Sequence, residues 1–164
     1  MHMKKFSCEK KYGQTSFLSL IELFNKCPKL FIDKLSLEKL EHHRDVHQHN
    51  FKQETTKTDQ YPGIFSPLRI HPVTCEPILF WPSFSNVKLH GEETQWFIDF
   101  KNWVNDYLSQ EDNWYNWEYD QNDLLIWDNR CLLHSFSPGW KQSDRIFDQL
   151  VIGFQLPKIY NLGA

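Results

Sequence analysis

The segment from Glu92 to Leu108 constrains the fold most strongly, because it predicts an amphipathic helix that needs a partner layer. Its apolar side chains recur every three or four residues and share one face: Trp96, Phe100, Trp103, Val104, Tyr107 and Leu108. Such a face is stable only when it is buried against another apolar layer. Trp96 and Trp103 are therefore predicted to lie in the core. This weakens the alternative that the seven Trp form a sugar-stacking surface of a β-sandwich.

Predicted strands elsewhere in the chain could form the sheet against which this helix packs. Strands are predicted at residues 3–8, Leu68–Val73, Ile78–Trp81, Trp114–Tyr119, Leu124–Trp127 and Arg145–Phe154. Those at Trp114–Tyr119 and Leu124–Trp127 are predicted to form a β-hairpin, and the last strand to be buried on both faces. A helix is predicted from Ser16 to Cys27, with further helical turns between Leu30 and Leu40. Together these elements predict an α+β fold in a single domain, residues 1–164.

Residues 41–67 are polar and rich in His, Thr, Lys and Gln, which predicts a long loop within that domain. His43-Arg44-Asp45 lies there with the spacing of a paired metal-binding motif. On a helix, residues i and i+2 point in divergent directions, so this tripeptide is expected to be solvated. The cluster of His42, His43, His47 and His49 is expected to be solvated as well.

The composition excludes several classes of function. The net charge is −3 and no basic stripe is present, so nucleic acid is not an expected partner. No apolar run is long enough for a signal peptide or a membrane span. Cys8, Cys27, Cys75 and Cys131 are widely separated, which disfavours a disulfide scaffold or a zinc knuckle. The expectation is an intracellular, cytoplasmic protein.

Two residues in the last third of the chain point to a reaction class. His134 ends the segment that begins at Trp127, and Arg145 follows on the next predicted strand. Imidazole is a common ligand of non-haem iron, and guanidinium matches a carboxylate with two parallel hydrogen bonds. The residues alone leave other readings open. His134 could be a strand histidine bonded to a carbonyl, and Arg145 could pair with Asp144 or Asp148.

Three blocks together resemble the taurine/2-oxoglutarate dioxygenase family, the TauD/TfdA-like enzymes. The blocks are Gly13-Gln14-Thr15-Ser16-Phe17; His71-Pro72-Val73-Thr74 with Leu79-Phe80 and His90-Gly91; and Trp117, Asn122-Asp123-Leu124, Trp127-Asp128-Asn129-Arg130, His134 and Arg145. They occur in the family's order, so the resemblance covers nearly the whole chain. The third block is fairly specific, whereas the other two are weak alone.

The resemblance implies a fold, a reaction and a set of site residues. The fold would be the C-terminal portion of a double-stranded β-helix, or cupin-like jelly roll, with inserted helices. The reaction would be Fe(II)-dependent oxidation of a small-molecule substrate, with decarboxylation of 2-oxoglutarate to succinate. His134 would be the distal iron ligand. Arg145 would bind the C5 carboxylate of 2-oxoglutarate, and Thr15 would donate a hydrogen bond to it. Asp128 and Asn129 would fix their turn.

Two departures from the family pattern qualify this expectation. The family's His-x-Asp iron ligands precede the Gly-x-Thr turn, and nothing before Gly13 matches them. Two interpretations follow: an N-terminally truncated dioxygenase, or a non-catalytic relative that serves as a binding or interaction module. The second departure is Gln149, which stands where several members carry a substrate-binding Arg. A neutral amide cannot pair with a sulfonate charge, so taurine is not the expected substrate.

Overall fold

The computed structural model describes residues 1–6, 13–44, 63–82, 85–136, 145–150, 152 and 158–159. At Arg145 and some other strand ends it describes only the backbone. The described residues form these strands: β1 His2–Phe6, β2 Thr15–Ser19, β3 Leu40–Arg44, β4 Gly63–Phe65, β5 Leu68–Ile70, β6 Pro77–Leu79, β7 Ser85–Leu89, β8 Tyr115–Trp117, β9 Leu132–Phe136, β10 Arg145–Asp148 and β11 Lys158–Ile159. The α-helices are α1 Leu20–Lys26, α2 Lys29–Leu35 and α3 Gln95–Ser109, and a short 3-10 helix covers Glu111–Asn113.

The strands pair antiparallel in small sheets, and helices cover part of them. Within the described ranges the strand orders are β1-β10, β11-β5-β6, β8-β2-β9 and β4-β3-β7. This mixture of helices with antiparallel sheets confirms the α+β prediction. None of the described helices is long and apolar enough to cross a membrane.

The structure corrects the prediction of a helix from Ser16, because the first four residues of that predicted helix, Ser16 to Ser19, belong to strand β2. The backbone of β2 pairs with β8 on one side and with β9 on the other. The hydrogen bonds of these two ladders stabilise a strand here, although Phe17 and the apolar residues after it have the spacing of a helix. The helix begins only at Leu20, where the Ser19 side chain accepts a hydrogen bond from the Glu22 backbone N–H.

The predicted hairpin between Trp114–Tyr119 and Leu124–Trp127 is also wrong. β8 pairs with β2 instead, while the segment after Asn122 lies along the N-terminus of the chain. Met3 donates to the Asp123 carbonyl at 2.9 Å, and Leu125 donates to the Met1 carbonyl at 2.8 Å. Competition from β1 for these backbone groups explains the failure, since strand pairing between distant segments leaves no local signal in the sequence.

The predicted loop at 41–67 is bounded by paired strands. β3 pairs with β4 and β7, so His43 and Arg44 belong to a strand rather than to a helix or loop. The argument from helical divergence therefore does not apply to His43-Arg44-Asp45. Asp45, His47 and His49 lie outside the described residues, as does the rest of the predicted loop between β3 and β4.

The last predicted strand is shorter and more exposed than expected. β10 ends at Asp148, and the side chain of Ile146 is 53% exposed. Leu150 and Ile152, farther along, are 80% and 73% exposed. Apolar composition therefore did not indicate burial on both faces here.

Helix α3 packs as the sequence predicts. Phe97, Phe100 and Val104 are fully buried, and Trp96 and Trp103 are partly buried against the same core. The ring of Phe100 contacts four aromatic rings at centroid distances of 5.5–6.3 Å, those of Phe31, Trp81, Phe97 and Trp103. The prediction of core tryptophans is confirmed only in part, because both pack against the core while the fully buried positions include Phe97, which the predicted face omitted.

Replacing Phe100 with Ala should lower the free energy of unfolding by about 3–5 kcal/mol, because it leaves a cavity among rings that cannot close over it. Urea denaturation followed by circular dichroism measures this change. Ile98→Ala on the same helix is the matched control, since its side chain is 37% exposed and the loss should stay below about 1 kcal/mol. Equal losses for the two variants would contradict this packing.

Candidate functional site

The register of β2 with β9 brings Thr15 and His134 to one face of their sheet. Phe17 lies directly opposite His134, and Thr15 lies opposite Phe136. Directly opposed residues share a face, as do residues two apart along a strand. Gly13, which precedes Thr15, has φ +80°, a left-handed conformation that glycine adopts without strain. The Gly-x-Thr turn thus delivers Thr15 to the same face as the histidine.

His134 is a half-buried histidine among aromatic rings. Its ring centroid lies 5.4 Å from Trp127 and 6.3 Å from Phe17. Burial lowers the pKa of His134, so the imidazole is neutral at neutral pH. Within the part of the chain that the structure describes, no hydrogen bond engages its ring nitrogens. A neutral imidazole with a nitrogen to offer is the form that binds a metal ion.

Thr15 is buried, and its hydroxyl is hydrogen-bonded to another buried side chain. Its relative exposure is 1%, and its Oγ1 accepts a hydrogen bond of 2.8 Å from the hydroxyl of Tyr119. Tyr119 is equally buried. Sequence reasoning did not identify Tyr119, because a tyrosine two residues after Trp117 has no distinguishing signal before strand pairing is known.

Arg145 opens β10, where its backbone pairs with Phe6 of β1. The sequence predicted that Arg145 lies on the next strand after His134 and therefore close to it. In the described residues, β9 pairs with β2 and β10 pairs with β1, so the two strands are not paired with each other. Asp148, one suggested partner of Arg145, forms an ion pair with Lys4 at 2.7 Å.

Gln149 is exposed and borders a cleft of about 600 Å³. Asp128, Asn129 and Arg130 line the same cleft. A second cleft, of about 520 Å³, shares Leu125, Ile126 and Trp127 with the first and is largely apolar. Its lining includes Phe17, Trp114, Leu132 and Trp127. Phe17 and Trp127 also contact the His134 ring, so these two side chains connect the histidine to the lining of this cleft.

The carboxylate of Asp128 fixes the turn that leads into β9. Its Oδ1 accepts from the Arg130 backbone N–H and from the Arg130 Nε, each at 2.8 Å, and the Arg130 Nη2 donates to Oδ2. Asn129 accepts a hydrogen bond from the Trp127 indole. The expectation that these two residues hold the turn is confirmed. The guanidinium of Arg130 holds the pKa of the Asp128 carboxyl well below its usual range. The hydrogen bond from His71 lowers this pKa further, by a smaller amount.

His71 ties that turn to the hairpin of β5 and β6. Its Nδ1 accepts from the Thr74 backbone N–H at 3.1 Å, so the ring proton lies on Nε2. Nε2 in turn donates to Asp128 Oδ2 at 3.1 Å. His71 is only 4% exposed. The sequence block His71-Pro72-Val73-Thr74 carried the signal for this turn, but its distant partner Asp128 appears only in the fold.

His71, Asp128 and Cys131 place three potential metal-binding atoms within 4.8 Å of one another. None of the three groups is available as a metal ligand. Both His71 nitrogens are used, Arg130 neutralises Asp128, and burial raises the pKa of the Cys131 thiol. Binding a metal would break these interactions, and a protonated thiol is too weak a ligand to compensate for their loss. The cluster therefore acts as a lock that joins two segments of chain, which we call the Asp128 lock.

Replacing Asp128 with Asn should lower the free energy of unfolding at pH 7 by about 1–2 kcal/mol, because the charged hydrogen bonds are lost from a partly solvated site. A lowered pKa means that the carboxylate stabilises the fold above its ordinary value of 3.8 and stops doing so as pH falls. The difference between wild type and variant should therefore shrink below about pH 4. Urea unfolding at pH 7 and pH 3 tests this.

Asp106→Asn on the exposed side of α3 is the control for that experiment. It removes one carboxylate without touching the lock and should change stability at pH 7 by less than about 0.5 kcal/mol. A difference between wild type and Asp128→Asn that stays constant from pH 7 to pH 3 would show that the charge of Asp128 does not stabilise the turn.

Comparison with known proteins identifies the family. Residues 2–147 match the model of the taurine catabolism dioxygenase TauD, TfdA family. Because this match spans most of the chain, the protein belongs to that family. No curated protein sequence matches it.

Solved structures show the same fold at low sequence identity. A Burkholderia xenovorans protein described as an alpha-ketoglutarate-dependent 2,4-D dioxygenase superposes with a TM-score of 0.67 at 20% identity, covering 88% of this chain and 58% of that one. AAD-2 in complex with Mn(II) and N-oxalylglycine gives a TM-score of 0.68 at 17% identity, with the same coverage. A taurine dioxygenase from Burkholderia xenovorans gives 0.64 at 15%, covering 87% and 48%. The chain thus spans about half of the length of these proteins.

Proposed function

We propose that this protein is an Fe(II)- and 2-oxoglutarate-dependent dioxygenase acting on a small organic molecule. The observation that carries the proposal is the pairing of β2 with β9, which puts Thr15 and the neutral His134 on one face. Membership of the family supports the reaction class. The antiparallel sheets would be parts of a double-stranded β-helix, and the likeness to solved dioxygenases supports this. Residues 1–164 would form part of a single domain.

His134 fits one position of a non-haem iron site. Its imidazole is neutral, as a metal-binding histidine must be, and the rings of Phe17 and Trp127 that contact it also line the apolar cleft. Among the described residues, no carboxylate or second histidine joins it in a cluster of three ligands. The remaining positions would belong to the family's His-x-Asp pair. Bound iron would supply the activation of oxygen, and this chain's residues would orient the co-substrate and exclude water.

Thr15 and Arg145 would hold the distal carboxylate of 2-oxoglutarate. A planar guanidinium can donate two parallel hydrogen bonds to that carboxylate, and the threonine hydroxyl can donate a third. The Mn(II) and N-oxalylglycine complex of AAD-2 supports a metal and a dicarboxylic ligand for this fold. N-oxalylglycine is therefore a suitable stable probe for this protein.

Gln149 would contact the substrate through a neutral amide. It faces the cleft next to Asn129 and Asp128, where an amide donates and accepts but carries no charge. The apolar cleft that shares Trp127 with it adds aromatic surface. Together they favour a substrate that is uncharged at this end over a small sulfonate.

A second candidate function is that of a non-catalytic binding module. It is favoured by one observation: the described residues bring a single metal-binding side chain, His134, to the face that holds Thr15. Binding of 2-oxoglutarate without oxidation of any substrate, and without a measurable metal site, would support this second candidate.

Replacing Arg145 with Ala should weaken 2-oxoglutarate binding at least about 100-fold, because the proposed bidentate charge pair with the carboxylate would be lost. Arg145→Lys is the control, since it keeps the charge and removes the planar fork. It should bind with intermediate affinity. Isothermal titration of the full-length protein with N-oxalylglycine in the presence of Mn(II) measures both. Unchanged affinity in Arg145→Ala would refute its assigned role.

Replacing His134 with Ala should abolish Mn(II) binding while leaving the fold intact, because the imidazole lies half-buried against two rings that line a cleft rather than in the main core. Electron paramagnetic resonance of titrated Mn(II) reports the binding, and the melting temperature reports the fold. His90→Ala is the matched control, since His90 is exposed and pairs with Glu41. Equal Mn(II) affinity in the wild type and His134→Ala would contradict the proposed metal role.

A further inference from the structure

Tyr119 places a buried hydrogen-bond donor directly behind Thr15. The two hydroxyl oxygens are 2.8 Å apart, and both residues are 1% exposed. They are separated by 104 positions in the sequence, so only the fold brings them together. A buried phenol normally satisfies its hydroxyl, and here the chosen acceptor is a side chain on the candidate co-substrate face.

The backbone around Tyr119 is anchored on two sides. β8 ends at Trp117, which lies directly opposite Thr15 in β2. After Tyr119, the Asp120 backbone N–H donates to the Asp123 carboxylate at 2.9 Å, and Asn122 donates to the Met3 carbonyl at 2.8 Å. The phenol is therefore held by the sheet on one side and by a turn fixed to β1 on the other.

The chemistry of the two hydroxyls sets the direction of the hydrogen bond. A phenol is the more acidic donor, and an aliphatic hydroxyl is the better acceptor, so Tyr119 donates and Thr15 accepts. Each hydroxyl has one proton. Thr15, having accepted at its oxygen, keeps its own proton for another acceptor. A β-branched side chain in a strand also has few rotamers, so little freedom remains to be lost when a ligand binds.

We propose that Tyr119 is a positioning residue for 2-oxoglutarate, acting through Thr15. Its hydroxyl holds the Thr15 oxygen so that the Thr15 proton points to the distal carboxylate of the co-substrate. The two hydrogen bonds run in series, phenol to threonine to carboxylate, and each polarises the next. This inference rests on the proposed function, because it deepens the role given there to Thr15.

The test is a set of variants in the full-length protein, with N-oxalylglycine as the ligand and isothermal titration as the readout. Tyr119→Phe removes only the hydroxyl and should raise the Kd about 3- to 10-fold, the loss expected of one hydrogen bond. Thr15→Val should raise it by a similar or larger factor. Tyr107→Phe is the control; it removes a phenol hydroxyl from α3, no residue of which lines either cleft, and should leave the Kd unchanged.

The decisive comparison is the effect of Tyr119→Phe in two backgrounds. Thr15→Ser keeps a hydroxyl, so removing the phenol should still weaken binding there. In Thr15→Val no hydroxyl remains to be positioned, so the same change should have no further effect. Melting temperatures of all variants show whether each one is folded. A change in fold alone would weaken binding equally in both backgrounds, and that result would overturn the inference.

The outcomes separate the inference from the proposed function. If the wild-type protein binds no N-oxalylglycine, the proposed function fails and the inference fails with it. If the wild type binds and Tyr119→Phe binds equally well, only the inference is overturned. If Tyr119→Phe still weakens binding in the Thr15→Val background, Tyr119 does not act through Thr15.

Discussion

The pairing of β2 on both edges is the constraint on which the candidate site depends. β8 and β9 occupy the two edges of this strand, and each ladder fixes a register. A slip of one residue would send alternate side chains to the opposite face. Phe17 would then no longer lie opposite His134, and Thr15 would leave the face that they share. The site is thus a consequence of backbone hydrogen bonds between segments about 100 or more positions apart.

The two faces of this sheet have different tasks. Leu18 and Leu133 point into the main core, where they join the cluster covered by α1, α2 and α3. Thr15 and His134 point the other way, towards Tyr119 and the aromatic rings of Phe17 and Trp127. The apolar face stabilises the strand, and on the opposite face the buried Thr15 hydroxyl is satisfied by Tyr119.

The Asp128 lock stabilises the approach to β9 rather than the strand itself. Arg130 neutralises Asp128 within the turn, and His71 joins the turn to the hairpin of β5 and β6. Because the His71 proton and the lone pair on its other nitrogen are both used, the ring has one orientation. A turn fixed in this way delivers His134 with a defined register.

The sequence by itself determined the elements whose signals are local. Helix α3 follows from its aromatic periodicity, and the turn at Asp128 follows from short polar side chains that bond to nearby backbone. The motif order also indicated the family. Tertiary structure decided the rest. β2 is a strand because β8 and β9 pair with it. Leu124–Trp127 lies along β1 because its backbone bonds to the N-terminal residues instead of to β8. The contacts of Tyr119 with Thr15 and of His71 with Asp128 join segments far apart in sequence. Their energies depend on distances that no local pattern encodes, so only the folded chain could bring them together.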